Sequence, residues 1–390
     1  MEDAVIIEGA RTPVGKFLGS YADLPAVELG RLAAIEALRR SNIEPDQVDQ
    51  TIIGHARQAG NGPNTGRQVS IRAGIPDTVS GYNVNLACGS GMKAVQLAVQ
   101  QIRLGDAEVV LAGGMENMTR VPFLLPSMRT GHRLGHTEVL DGMYTDGLLD
   151  PLCGLIMGQT AENLVDKYDI SRKEQDEFAL RSQELAVGSV QLRAAELFPV
   201  QAPGRKGPVT VIEDEHIRPD TTMSSLSALK PVFREGGSVT AGNSSGLTDG
   251  AAAMVLMSSA RARSEGREAL ARVVGISWAG VPPEIMGIGP VPATHKVLEK
   301  TGLSLSDIDL IEINEAFAAQ VIACERELEF DRDKLNVRGG GISIGHPIGM
   351  SGAKIILSLA YEMRDRGVSL GLATLCVSGG QGLAVVLERA

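Results

Sequence analysis

The stretch CGSGMKAVQLAVQQIRLGDAEVVLAGG (88–114) returns in altered form as PIGMSGAKIILSLAYEMRDRGVSLGLATLCVSGG (347–380). Each reads as a helix opened by small residues, closed at a glycine, and followed by an apolar strand running into Gly-Gly. An earlier pair keeps the same order, offset by about 260 residues: SNIEPDQVDQTIIGH (41–55) and TGLSLSDIDLIEINE (301–315). Both are a turn, then Val-Asp or Ile-Asp, then an apolar strand. Two matches in one order argue a duplicated unit.

Within each copy helical and strand patterns alternate. Residues 25–40 have helical spacing and 51–54 form a short apolar strand. Met92, Val95, Val99 and Ile102 mark one helical face, with Gly105 as its C-cap. Residues 108–114 read as a buried strand, and the helix over 350–366 is apolar nearly all round, as a helix covered on every side must be. Such alternation predicts mostly parallel sheets covered by helices. Residues 115–247 break the rhythm with a long loop, helical patterns near 158–168 and 172–195, and the turn APGRKGP. Long insertions in α/β folds build substrate sites, so this one reads as a lid.

The chain has 390 residues, enough for two or three cores. Its net charge of −10 argues against a nucleic-acid surface. Cys88, Cys153, Cys324 and Cys376 show neither a CxxC pair nor a disulfide framework. They read as reduced thiols in the cytoplasm, with no metal site. No apolar run reaches the roughly 18 residues of a membrane span, and the opening MEDAVIIEGARTP has no signal-peptide pattern.

Five motifs together give a resemblance: ARTPVGKF (10–17), NLACGSGMKA (85–94), VTAGNSSGLTDGAAA (239–253), INEAFA (313–318) and GGGISIGHPIGMSGAK (339–354), followed by CVSGGQG. In this order and spacing the chain resembles the thiolase family over essentially its whole length. The resemblance implies an α/β fold of duplicated βαβαβαββ halves in a five-layered αβαβα arrangement. It implies an N-terminal half of residues 1–118 plus 248–268, an inserted loop domain of 119–247, and a C-terminal half of 269–390.

Cys88 stands just before a helix, where free backbone N–H groups favour an anion, so a thiolate there is expected to be stabilised and to attack a thioester. His346, in IGHPIG, has a side chain suited to taking the thiol proton and returning one to a leaving sulfur. The other five histidines (55, 132, 136, 216, 295) read mostly as surface or turn residues. Cys376 ends an apolar strand at its carboxyl end, where open α/β sheets place ligands. By resemblance it is the base that takes the α-proton of a second thioester. The resemblance also implies that His346 and a water held by Asn314 stabilise the enolate. It assigns the backbone N–H groups of Cys88 and Ser378 to the tetrahedral intermediate. Many relatives have glycine where Ser378 stands, and a left-handed φ would strain a serine there. Arg218, Ser225, Phe233 and Ser245 match coenzyme A contacts, and Met157, Met286 and Phe317 match the acyl pocket. Ile156 stands where acetoacetyl-forming members often carry a histidine, which argues against strict acetyl specificity.

The implied enzyme is an acyltransferase that condenses acetyl-CoA with an acyl-CoA, chiefly two acetyl-CoA to acetoacetyl-CoA, through an acyl-cysteine. A degradative 3-ketoacyl-CoA thiolase of broader chain length is the alternative. Coenzyme A thioesters are the substrates, with no permanently bound cofactor. A decarboxylating synthase needs histidine where Cys376 stands. A non-catalytic acyl-CoA or lipid-binding relative should lack one of Cys88, Asn314, His346 and Cys376, and all four are present. The stretch 119–140, with Arg129, His132 and Arg133, resembles a loop that pairs dimers into a homotetramer.

Overall fold

Asp49 and Asp309, the aspartates of the duplicated Val-Asp and Ile-Asp steps, play one role twice. Asp49 Oδ2 accepts the backbone N–H groups of Glu108 and Val109, both at 2.8 Å. Asp309 Oδ2 accepts those of Ser369 and Leu370, both at 2.9 Å. Each pins the strand that follows the long helix of its own half. The chain is seen in a computed structural model that describes residues 2–204 and 207–390.

The first half runs β1 (Ala4–Arg11), α1 (Ala26–Ser41), β2 (Gln50–His55), α2 (Thr65–Arg72), β3 (Ser80–Val84), α3 (Ser90–Leu104) and β4 (Val109–Asn117). It closes with β5 (Thr248–Ser258) after a long insertion. Within the insertion lie α4 (Met157–Tyr168) and α5 (Arg172–Gly188). The second half runs β6 (Ala271–Gly280), α6 (Pro290–Thr301), β7 (Leu310–Ile313), α7 (Ala318–Leu328), α8 (Ile348–Arg366), β8 (Leu370–Val377) and β9 (Gln381–Arg389). The strand that would match β3 survives only as a bridge between Ile311 and Leu335.

Hydrogen bonding runs β7-β8-β9-β6-β1-β5-β4-β2-β3. The sheets are mixed rather than mostly parallel. Strands β4, β2 and β3 pair in parallel, as do β7 and β8. The pairs β1–β5, β5–β4, β6–β9 and β8–β9 are antiparallel. In the second half β8 and β9 are joined by a short turn and so reverse direction, and β4 and β5 keep the same antiparallel pairing although the insertion separates them. The halves meet edge to edge only through Val5–Arg272 and Ile6–Ala271.

Three apolar cores separate five layers. The central core holds α3, α8 and the inward faces of both half-sheets, with Met92, Val95, Val99, Ile102, Ile356 and Leu357 all buried. One outer core lies under α1 and α2, the other under α6 and α7. Helix α8 is buried from Ile348 to Met363, as its sequence predicted. The insertion contributes to both outer cores: Val200, Ala202 and Val211 to the first, Leu164, Phe178 and Ala179 to the second. Strands Val200–Ala202 and Val209–Val211 pair antiparallel, and of the turn expected over 202–208, Arg205 and Lys206 lie outside the described residues. No described helix is long and apolar enough to cross a membrane.

The two central helices start almost in contact. A Cβ on Gly352 would sit 2.4 Å from the Met92 backbone nitrogen, and one on Gly91 would sit 2.7 Å from that of Ala353. Glycines in GSGM and GMSG therefore serve this crossing, which draws the residues preceding each helix together.

Candidate active site

Cys88 sits on a strained bend. Ala87 before it has φ +42°, a left-handed conformation that costs a non-glycine residue. Side chains hold the bend in place. Asn85 Oδ1 accepts the Ala87 N–H at 2.9 Å, and Ser90 Oγ accepts that of Leu86 at 2.9 Å while donating to Ala87 O at 2.7 Å. The result places Cys88 half-buried in the wall of a cavity of about 440 Å³.

His346 reaches the same cavity from the start of α8. Gly345, at φ +111°, turns the chain against Thr248, whose Oγ1 accepts the His346 backbone N–H at 2.8 Å. The imidazole Nδ1 lies 2.5 Å from Ser351 Oγ, and that hydroxyl donates to Pro347 O at 2.9 Å. With its only proton so used, Ser351 accepts from Nδ1–H, leaving Nε2 bare. Asn314 Nδ2 stands 3.4 Å from Nε2. Asn314 is itself buried and meets the imidazole at this same nitrogen. Cys376, at the end of β8, and Ser378 complete this wall. The backbone N–H groups of Ser378 and of Cys88 itself favour the anionic form of the Cys88 sulfur. Ser378 stays outside the left-handed region; Gly379 and Gly380 take φ +84° and +78°.

Burial sets the electrostatics. It pushes the Cys88 thiol up, against the pull of the Arg57 charge and the two N–H groups. This reverses the expectation of a thiolate stabilised at a helix start. Cys376 is driven well above an ordinary thiol by burial and the neighbouring Cys88. His346 is lowered to about 4, chiefly by burial. The site thus holds two neutral thiols and a neutral imidazole with Nε2 unprotonated; the raised thiol and lowered imidazole disfavour a resting thiolate–imidazolium pair, so proton transfer has to accompany attack by the sulfur.

The remaining sequence candidates fall around these groups. Met157, Met286, Phe317 and Phe233 line the cavity and pack with Cys376 in one cluster, the two rings edge to face at 6.0 Å. Ile156 also lines it, as do Ser245 and, at the exposed mouth, Arg218. Ser225 lines an adjoining hollow that shares Arg218 and His216. Of the five other histidines, His132, His136 and His295 are exposed. His55 is fully buried, 3.3 Å from Glu116, and His216 lines the cavity, so neither is a surface residue. Sequence reading also missed Ser351 and Arg57. Ser351, five residues after His346 and on the first turn of a helix, carried a usable signal; Arg57 carried none.

The chain matches two family models, "Thiolase, N-terminal domain" over residues 4–260 and "Thiolase, C-terminal domain" over 267–389. It is 49% identical to an acetyl-CoA acetyltransferase of Pseudomonas aeruginosa, covering all of both chains. It is 47% identical to one of Escherichia coli with the same coverage. Among solved structures it superimposes on the Bacillus anthracis acetyl-CoA acetyltransferase with TM-score 0.98 at 48% identity, covering 100% of this chain and 99% of that one. Against human mitochondrial 3-ketoacyl-CoA thiolase the TM-score is 0.96 at 40% identity, with the same coverage.

Proposed function

The chain belongs to the thiolase family, and from that premise we propose that this acyltransferase joins two acetyl-CoA into acetoacetyl-CoA and coenzyme A, reversibly, through an acyl group on Cys88. The observation that carries the proposal is the meeting of Cys88, His346, Cys376 and Ser378 in one cavity.

The buried Cys88 thiol gives its proton to His346 Nε2 as the sulfur attacks the thioester carbonyl. The Cys88 and Ser378 N–H groups receive the oxyanion. The coenzyme A sulfur leaves with the proton held on Nε2. Cys376 then passes its own thiol proton to the vacated His346 Nε2 and, as thiolate, takes an α-proton from a second acetyl-CoA. The protonated His346 and a water held by the Asn314 amide flank the resulting enolate oxygen. The carbanion attacks the acyl carbon, the C–S bond to Cys88 breaks, the proton gathered at Cys376 passes to the Cys88 sulfur, and the proton on His346 Nε2 returns to Cys376. Coenzyme A itself lies along Phe233, Ser245, Arg218 and Ser225. Thiolysis runs the same steps backward.

Purified protein supplied with acetyl-CoA alone should release free coenzyme A and form acetoacetyl-CoA, and supplied with acetoacetyl-CoA and coenzyme A it should yield acetyl-CoA. Absence of both reactions overturns the proposal.

A homotetramer in the cytoplasm fits this reading. Residues 125–139 project between the paired strands Phe123–Leu124 and Leu140–Asp141, with Met128 57% and Leu134 93% exposed. All four cysteines are unpaired. Light scattering on the chain lacking residues 125–136 should report dimers; a full-length monomer refutes the assembly.

A further inference from the structure

Arg57 stands in the cavity wall with no task in the chemistry above. It is only 8% exposed and lines the same cavity as Cys88. Among the described residues its guanidinium makes a single hydrogen bond, from Nη2 to Gly147 O at 3.1 Å, and its Nε has no partner. Gly147 backs it so closely that a Cβ there would lie 2.9 Å from Nε. The Glu116 carboxylate behind it is occupied elsewhere. It accepts the backbone N–H groups of Ala56, Arg57 and Gly349, and stands 3.3 Å from His55 Nε2. The other surroundings of Cys88 on this side, Met118, Leu148 and Ile348, are apolar. The Arg57 charge is close enough to Cys88 to pull its thiol down against burial.

A buried cation without a counter-charge is costly, and a guanidinium is shaped for a carboxylate, which it binds through two parallel hydrogen bonds. We infer that Arg57 is a specificity determinant that receives the terminal carboxylate of an acyl group carried on Cys88. Thioesters of 3-oxo acids ending in a carboxylate are then substrates of this site, preferred to neutral chains of the same length. Met118, Leu148 and Ile348 cover the methylene groups, and the carboxylate supplies the charge that the wall lacks. A site built around a polar partner rejects the analogue without it, since the buried group is then left unpaired. This inference rests on the acyl-Cys88 reading.

The test compares thiolysis of acetoacetyl-CoA, 3-oxohexanoyl-CoA and 3-oxoadipyl-CoA by the full chain. The two six-carbon probes differ in whether the chain ends in a methyl or a carboxylate. The expected kcat/KM favours 3-oxoadipyl-CoA by about tenfold or more, the scale of one charge-assisted hydrogen bond, and intact-mass analysis should find a succinyl adduct on Cys88. In Arg57→Met the ratio of the two constants should collapse toward one; because it is a ratio, partial loss of folded protein cancels. Equal or better use of the neutral chain by the parent, or an unmoved ratio in Arg57→Met, overturns the inference. If acetoacetyl-CoA and 3-oxohexanoyl-CoA are cleaved without a carboxylate preference, only this inference falls. If none of the three is cleaved, the thiolase reading falls with it.

Discussion

His346 Nδ1 and Ser351 Oγ lie 2.5 Å apart, and the serine's own proton is committed to Pro347 O. One hydroxyl thereby decides which imidazole nitrogen is free to accept a proton from sulfur. Replacing Ser351 with Ala leaves a buried N–H unpaired and the tautomer unfixed. Loss of the orienting partner of a metal-bound histidine costs about 10- to 100-fold, and the same scale is expected where a serine fixes the tautomer. The Ser351→Ala enzyme should lose that much kcat in acetoacetyl-CoA thiolysis with little change in KM. Turnover at the parental rate would remove Ser351 from the mechanism.

A second expectation concerns pH. An imidazole lowered to about 4 stays neutral, and able to accept a proton, well below the 6.5 of an ordinary histidine. Acylation of Cys88 should therefore hold steady as pH falls through 6.5 and be lost only near 4. Rapid-quench measurement of acetyl-Cys88 formation after brief pH jumps would show the limb directly, and a half-loss near 6.5 would contradict the buried neutral base. The sign for stability follows from the same shift. The folded chain binds fewer protons on His346 than the unfolded one between about 4 and 6.5, so this group's contribution weakens as pH falls across that window.

The crossing of α3 and α8 offers a third test. Gly352→Ala places a methyl 2.4 Å from the Met92 backbone nitrogen, which no rotamer change relieves. The helices must part, at a cost of about 1–3 kcal/mol, and Cys88 moves relative to His346. Both a lower urea midpoint and a slower acylation of Cys88 are expected. An unchanged midpoint would show that the helix starts are looser than their contact implies.

Much of the architecture was legible because it is written locally. The Gly105 cap and the all-round apolar α8 each depend on neighbours within a few turns, whereas the Asp49 and Asp309 steps were visible only as a repeated motif, since the backbone groups they hold lie 59–61 residues on. Strand direction was not legible: β5 pairs with β4 across a long insertion, and no local signal sets that partner. The three catalytic candidates stood out through their glycine-rich settings. Their protonation states did not, because burial belongs to the assembled fold; the helix start argued for a thiolate at Cys88, and desolvation overrules it. Arg57, in GHARQAG, carried no sequence signal, and only the packing of Gly147 and Glu116 around it makes it unusual.

The sharpest prediction separates the two thiols. Cys376 packs with Met286 and Phe317, whereas Cys88 packs with Met118 and Ile348, so the two sulfurs face one cavity from different apolar clusters. If Cys376 acts only on the α-proton, it is not needed for the first acyl transfer. Cys376→Ala should still become acetylated at Cys88 and still exchange labelled coenzyme A with acetyl-CoA. It should lose exchange of the acetyl α-protons with deuterated water, and carbon–carbon bond formation with it. Cys88→Ala should abolish acetylation and coenzyme A exchange while leaving the base in place. The pattern follows because the two steps share one imidazole but use different sulfurs, so each deletion removes one step and spares the other. A folded Cys376→Ala protein that cannot be acetylated would show that both thiols serve the first transfer, and the assignment of separate roles would fail.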